Sequence, residues 1–239
     1  MKNFQKIGIL GGMGPSASAN FYQTLVTKCQ QIYHAEQDED YPQMIINSLP
    51  IHGFDEKGQG DHEKILGQLL HGIHSLELAG ADFLVMPCNT IHLFSPEINS
   101  KISIPLISLI DTTVDIVMAS GIQNIAILSS QETKDTGLYS NTLKSIGLYP
   151  IVTNDKEQAH LNDIILHVMG GTQNSDDSET ISSIISSMKA NGAEGIILGC
   201  TELPLAVDHS KIKMKLFNSI EILAERSLEI AYSEVKFSS

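Results

Sequence analysis

Ala79-Gly80-Ala81-Asp82-Phe83-Leu84-Val85-Met86-Pro87-Cys88 and Asn191-Gly192-Ala193-Glu194-Gly195-Ile196-Ile197-Leu198-Gly199-Cys200 are one pattern written twice, 112 residues apart. Two further pairs keep the same order. Ile7-Gly8-Ile9-Leu10-Gly11-Gly12 matches Ile125-Ala126-Ile127-Leu128-Ser129-Ser130 at a shift of 118, and Leu106-Ile107-Ser108-Leu109-Ile110-Asp111 matches Leu216-Phe217-Asn218-Ser219-Ile220-Glu221 at a shift of 110. One such match means little, because buried strands resemble one another. Three in the same order at nearly the same shift argue for duplication. Continuous apolar strands separated by helices imply parallel sheets covered on both faces. The expected fold is therefore α/β: two pseudo-symmetric lobes, each a four-stranded parallel sheet flanked by helices, with the active site in the cleft between them. One continuous doubly wound sheet is the competing arrangement.

Outward from these stretches the same alternation continues. Strands are expected at 7–10, 44–46, 83–86, 105–109, 125–128, 149–152, 195–198 and 214–217. Helix-period apolar positions place helices over 16–31 (Phe21, Leu25, Cys29), around Ile65, Leu69, Ile73 and Leu76, and at 138–146, 161–168, 181–188 and 220–232. Glu36–Asp40 reads as a solvated acidic loop, and Asn174–Glu179 as a polar turn in which Ser175 or Asp176 caps the next helix. Lys211, Lys213 and Lys215 alternate as lysines do on an edge strand.

The 239 residues carry 15 Lys+Arg against 28 Asp+Glu, a net charge of −13, with 42% hydrophobic and 18% charged residues. A chain of this size buries about 70–75% of its unfolded surface without staples. The acidic balance argues against nucleic acid as the main ligand and against an anionic membrane surface. No stretch approaches the ~20 apolar residues of a membrane span. Residues 1–10 do not have the form of a signal peptide, since the apolar run is short and no cleavage site follows it. Three widely spaced cysteines, Cys29, Cys88 and Cys200, make no disulfide framework, and a cytoplasmic location is expected.

The duplication aligns Cys88 with Cys200. Each ends a strand and precedes polar residues, Asn89-Thr90 in one case and Thr201-Glu202 in the other. Ligands of open α/β sheets bind beyond the carboxyl ends of the strands. A cysteine there is expected beside a helix N-terminus, which favours thiolate. Two opposed thiols suit inversion of a carbon stereocentre, one acting as base and the other as acid, with the roles exchanged in reverse. Cys29, mid-helix, reads as core filler. No C-x-x-C or H-x-x-x-H spacing surrounds Cys88 or Cys200, so no metal is expected. A redox pair is the remaining alternative.

Gly11-Gly12-Met13-Gly14-Pro15, Pro87-Cys88-Asn89-Thr90-Ile91-His92 and Gly199-Cys200-Thr201-Glu202 together resemble the aspartate/glutamate racemase family of cofactor-independent amino-acid racemases. The resemblance spans the chain. It implies two α/β lobes, a homodimer, no cofactor, a small amino-acid substrate, and catalysis by Cys88 and Cys200 from opposite faces of Cα. It also implies that Asn89, Thr90 and Thr201 bind the substrate carboxylate and order the loops. With the C-terminal segment returning to the first lobe, the expected domains are 1–103 plus 212–239 and 104–211. The chain departs from the family in two places. Asn47–Asp55 holds no arginine where aspartate-specific members carry Pro-Asp-Arg, and His160 stands where members tend to have lysine. A neutral or differently charged amino acid is therefore expected in place of aspartate or glutamate.

Four other features are candidates. Gly12, Met13 and Gly14 formally fit a dinucleotide fingerprint, but the second strand ends at Asn47-Ser48 without the acidic residue such a site wants. They read better as a nest for the substrate carboxylate at a helix N-terminus. Ser48 ends that second strand and could hydrogen-bond substrate. In the repeat-equivalent turn Ser129–Thr133, Ser130 and Thr133 either donate to substrate or simply cap a helix. His71 and His74 suggest no third metal ligand, and His92 is expected to support the Cys88 loop. Two other functions stay open: a related isomerase or decarboxylase on the same scaffold, and an amino-acid-binding protein without catalysis.

Overall fold

The computed structural model describes residues 4–54 and 60–233. Met1–Asn3 and Asp55, on which parts of the sequence reading fall, lie outside them. The chain divides into two compact units, formed among the described residues by 4–54, 60–112 and 220–233 and by 113–219.

In the first unit β1 (Ile7–Gly11), α1 (Pro15–Tyr33), β2 (Met44–Ser48), α2 (His62–Leu78), β3 (Phe83–Val85), a 3-10 turn at Thr90–Phe94, α3 (Ser95–Asn99) and β4 (Leu106–Ile107) precede α4 (Leu109–Ala119). The sheet is parallel in the order β2-β1-β3-β4. Inner strands β1 and β3 are buried at every position, whereas the outer strand β2 is only partly buried or exposed. That is why the inner strands read as unbroken apolar runs. Pro15 opens α1, where its missing N–H costs nothing. Ala17, Phe21, Leu25 and Cys29 recur every four residues and are buried. On α2 the Asp61 carboxylate caps the Lys64 amide, and Ile65, Leu69, Ile73 and Leu76 face the core. Each full burial of such a side chain contributes about 1.5–3 kcal/mol.

Gly12 has φ +96°, and an added Cβ would meet the Leu49 carbonyl oxygen, with the Leu49 amide nitrogen 2.6 Å away. Left-handed strain and a backbone collision coincide. Gly12→Ala is expected to destabilise the protein by about 2–4 kcal/mol, read as a lowered denaturation midpoint. An unchanged midpoint would contradict this geometry.

The second unit holds β5 (Asn124–Ser129), α5 (Gln131–Asp135), α6 (Leu138–Ser145), β6 (Tyr149–Val152), α7 (Asp155–Gly170), α8 (Ser175–Ala190), β7 (Gly195–Gly199), α9 (Leu203–Ala206) and β8 (Lys215–Asn218), followed by α10 (Ser219–Tyr232). Its parallel sheet has the order β6-β5-β7-β8, the order of the first sheet repeated. Two separate sheets of one topology replace the single continuous sheet that was the alternative. Asn154 with Glu157, and Asn174 with Asp177, form reciprocal capping boxes on α7 and α8. The α8 cap is thus Asn174, not Ser175 or Asp176. The apolar faces of both helices join Ala126, Leu128, Ile196 and Leu198 in one core.

Two structural boundaries differ from the sequence-based ones. β4 pairs with β3, so residues 104–112 belong to the first unit, and β8 pairs with β7, so 212–219 belong to the second. The crossings fall within α4 and at the head of α10. The last helix is held in the first unit by the Gln5 amide donating to Ala231 O at 3.0 Å, by the Tyr33–Tyr232 ring stack at 3.8 Å and by a 2.5 Å Lys28–Glu225 ion pair. β8 is an edge strand, but of the three lysines expected to alternate along it only Lys215 lies in it; Lys211 sits in a 3-10 turn.

Candidate active site

Cys88 follows β3 through Met86 and Pro87 and is 9% exposed. Its amide donates to Met86 O at 2.8 Å, so the chain turns sharply there. His92 closes the turn. It is buried, its Nε2 lies 3.2 Å from the same Met86 carbonyl, and its Nδ1 lies 3.2 Å from Ser95 Oγ. The carbonyl can only accept, so Nε2 carries the proton and Nδ1 accepts from Ser95. Asn89 and Thr90 are buried in the same turn, with the Asn89 carbonyl accepting from the His92 amide.

Burial depresses His92 to a pKa of about 4, against the opposing pull of Met86 O and Asp111. The unfolded chain therefore binds a proton below pH 6.5 that the folded chain takes up only near 4. Stability is complete above the unfolded value and falls as the pH drops between the two. The expected loss is about 2 kcal/mol between pH 7 and pH 5. Urea unfolding of wild type and His92→Gln at both pH values checks it: the variant should lack this component, and parallel losses would contradict it.

Cys200 occupies the equivalent place past β7 and is 6% exposed. Gly199 before it is required, because a Cβ there would lie 2.9 Å from the ring of Tyr139. Tyr139 is wholly buried and hydrogen-bonded to Thr113 and Ser219, and burial pushes its phenol above the ordinary range. The neighbour that composition and spacing did not assign is Glu202. It is 4% exposed, and its Oε2 accepts from Cys200 Sγ at 3.2 Å and from Thr201 Oγ1 at 2.9 Å. The signal lay in the quoted Gly199–Glu202 motif, where a carboxylate stands among cap-forming residues.

The helix N-terminus expected beside each cysteine belongs to a short segment in both units. A five-residue 3-10 turn follows Cys88, and the four-residue α9 follows Cys200. A single turn supplies a few N–H donors but little macrodipole.

The other predicted residues separate into groups. The Gly12 amide donates to Ser18 Oγ at 2.8 Å, and Ser18 donates to Gly14 O at 3.0 Å. Gly12 thus shapes the turn but does not offer its own donor, while Met13 packs on the core and Gly14 caps α1. Ser48 is exposed at the end of β2, in register with Gly11. Ser130 caps α5, bonding the Thr133 hydroxyl at 3.1 Å and its amide at 3.4 Å. His160 is not brought to the Cys200 turn; it lies on the exposed side of α7, in a groove with Lys156, Thr180, Ser183 and Ser187. His71 and His74 are exposed on α2. Among the described residues no group of three or more His, Cys, Asp or Glu is placed to hold a metal ion. No described helix is long and apolar enough to cross a membrane.

Two parallel sheets of identical strand order, each with a cysteine just past its third strand in sequence, define an α/β protein of the racemase class. The sequence profile described as Asp/Glu/Hydantoin racemase matches residues 10–226, and the chain belongs to that family. It is accordingly an isomerase. It is 27% identical over 222 residues to the broad specificity amino-acid racemase RacX of Bacillus subtilis (strain 168), covering 93% of this chain and 96% of that one. Among solved structures it resembles an aspartate racemase homologue from Pyrococcus horikoshii OT3, with 29% identity, a TM-score of 0.81 and coverage of 98% of this chain and 100% of that one. It also resembles the Picrophilus torridus aspartate racemase, with 26% identity, a TM-score of 0.82 and coverage of 95% and 94%.

Proposed function

We propose that this isomerase is a cofactor-independent amino-acid racemase in which Cys88 and Cys200 are the two bases. The observation that carries the proposal is their equivalence: each stands in the same place in a repeated sheet, in a chain of racemase family. In one direction a thiolate takes the Cα proton. The C–H bond breaks and its electron pair moves toward the carboxylate, giving an enolate-like charge. The opposite thiol then delivers its proton to the other face and becomes the thiolate. Such a mechanism requires both sulfurs to address one Cα. N–H donors in place before the reaction stabilise the developing charge. The turn at Met13 and Gly14 with the head of α1, together with Asn89, Thr90 and Thr201, is assigned to the α-carboxylate. Glu202 is assigned to proton exchange at Cys200.

The resemblance of the chain to a broad-specificity amino-acid racemase supports an amino-acid substrate, and the lack of arginine in 47–55 supports one other than aspartate or glutamate. Ser48, Ser130, Thr133 and His160 receive no catalytic part here. A homodimer, carried over from the family resemblance, and a cytoplasmic location, argued from three free cysteines, belong to the same proposal.

The test is incubation with each L- and D-amino acid in D₂O, following loss of the Cα proton by NMR and the enantiomer ratio by chiral chromatography. Deuterium wash-in with inversion supports the racemase. Ligand-induced thermal stabilisation without exchange would instead indicate a binding protein. Loss of carbon dioxide from malonate-type substrates would indicate a decarboxylase.

A further inference from the structure

The carboxyl end of the second sheet carries a chain of amide side chains that the proton transfer does not use. Gln158, 1% exposed, donates from Nε2 to the Ser129 carbonyl at 2.9 Å and to Asn162 Oδ1 at 2.9 Å, while its Oε1 accepts from Thr153 Oγ1 at 2.5 Å. Both Nε2 hydrogens are thereby committed and the side chain is locked. Asn162, one helical turn further along α7 and half-buried, is oriented by that bond. Its Oδ1 faces Gln158, so its Nδ2 faces the other way, toward Gln131 Oε1 at 3.3 Å. Gln131 Nε2 in turn lies 2.8 Å from both carboxylate oxygens of Asp135.

This chain of amides stands beside the Cys200 turn within one unit. Ser129, at its root, is the register partner of Gly199, the residue before Cys200. Leu161, between Gln158 and Asn162, packs in the same apolar cluster as Cys200 and Leu203. No cation joins it. Lys134 turns to Asp155 at 3.8 Å, and His160 lies on the other side of α7. A carboxylate brought here would meet amide N–H groups and the Asp135 charge, without the cation that would offset its desolvation. An uncharged side chain loses little on leaving water and can use the second Nδ2 hydrogen of Asn162.

We propose that Asn162 and Gln131 form the wall that meets the substrate's side chain and select amino acids with uncharged side chains over aspartate and glutamate. The proposal rests on the racemase reading above. Gln158 acts through Asn162 as a positioning residue.

The experiment measures kcat/KM for Cα–H exchange in D₂O with glutamine, methionine, serine, aspartate and glutamate, for wild type, Asn162→Lys and Asn162→Asp. Thermal unfolding of each checks folding. Wild type should favour the best uncharged substrate over both acidic ones by about tenfold or more, the size of one unfavourable charge placement. Asn162→Lys should shift that ratio toward the acids by about tenfold. Asn162→Asp, nearly isosteric and less exposed to misfolding, should shift it by a similar factor toward lysine, added as a third class of substrate. A wild type that exchanges uncharged and acidic amino acids equally, or ratios that move less than about threefold in both folded variants, overturns the wall alone. A wild type that exchanges no amino acid overturns the racemase reading and the wall with it.

Discussion

Cys88→Ser and Cys200→Ser are each expected to abolish racemisation, lowering kcat by about 10³-fold or more, because a serine hydroxyl does not ionise in the range where a thiol does. The two variants should differ in what they retain. With one sulfur left, the remaining cysteine can still remove the proton on its own face and return a deuteron there. Each single variant should therefore wash deuterium into one enantiomer without inverting it, and the two variants should select opposite enantiomers. Circular dichroism melts separate this from unfolding. Both cysteines are nearly buried and serine is close in volume, so the midpoints should move by no more than about 1–2 kcal/mol in unfolding free energy. The pattern is sharp enough to fail in several ways. If only one cysteine matters for turnover, a one-acid decarboxylation or isomerisation fits better. If exchange persists with both cysteines changed to alanine, the sulfurs are not the bases and another pair of groups must be sought.

The strands that frame these cysteines were legible because burial on both faces leaves a run with no polar interruption. β6 was placed at its observed limits, and β1, β5 and β7 each to within a residue at either end. Helix limits were less visible. α7 and α8 begin six residues before their first expected position, since Asp155–His160 and Ser175–Thr180 are mostly polar and announce themselves only through the capping boxes at Asn154 and Asn174. α4 was missed because it starts at Leu109, directly after the apolar β4, and one continuous apolar run cannot tell strand from helix. α5, five residues long, has no period to detect.

The candidate site shows the same division. Cys88 and Cys200 are singled out by the repeat, a one-dimensional signal. His160 is assigned by alignment with a lysine of the family, and such an alignment ignores helical phase. The buried positions of α7 are Gln158, Leu161, Ile164, Ile165 and Val168, and residue 160 falls outside that stripe. Gln158, Asn162 and Gln131 escaped notice for a related reason. Their partnership joins the ends of β5 and β6 to one face of α7, and nothing in linear spacing reveals it. The contact between Glu202 and Cys200 is local in sequence but depends on the turn, since side chains two apart in a helix or strand do not share such a carboxylate contact.

That contact carries the second large effect. Glu202→Gln is expected to lower kcat/KM by about 10²-fold. The carboxylate accepts from Cys200 Sγ at 3.2 Å and both residues are buried, so it is the group placed to receive the thiol proton. In the proposed mechanism Glu202 takes the proton as Cys200 becomes a base and returns it as Cys200 becomes an acid. Glutamine keeps the size and can still hydrogen-bond Thr201, but it cannot take the thiol proton. Because the two enantiomers of an amino acid are equal in energy, kcat/KM must fall equally in both directions. The asymmetry has to be sought elsewhere, in deuterium exchange without inversion. That exchange should slow for the enantiomer whose Cα–H faces Cys200 and persist for the one whose Cα–H faces Cys88. Glu202→Asp, which keeps the acid but withdraws it by one methylene, should recover part of the rate. A Gln variant within about threefold of wild type, with an unchanged melt, would reduce Glu202 to a loop-holding role. Equal slowing of exchange from both enantiomers would instead assign the carboxylate to the substrate-binding turn as a whole.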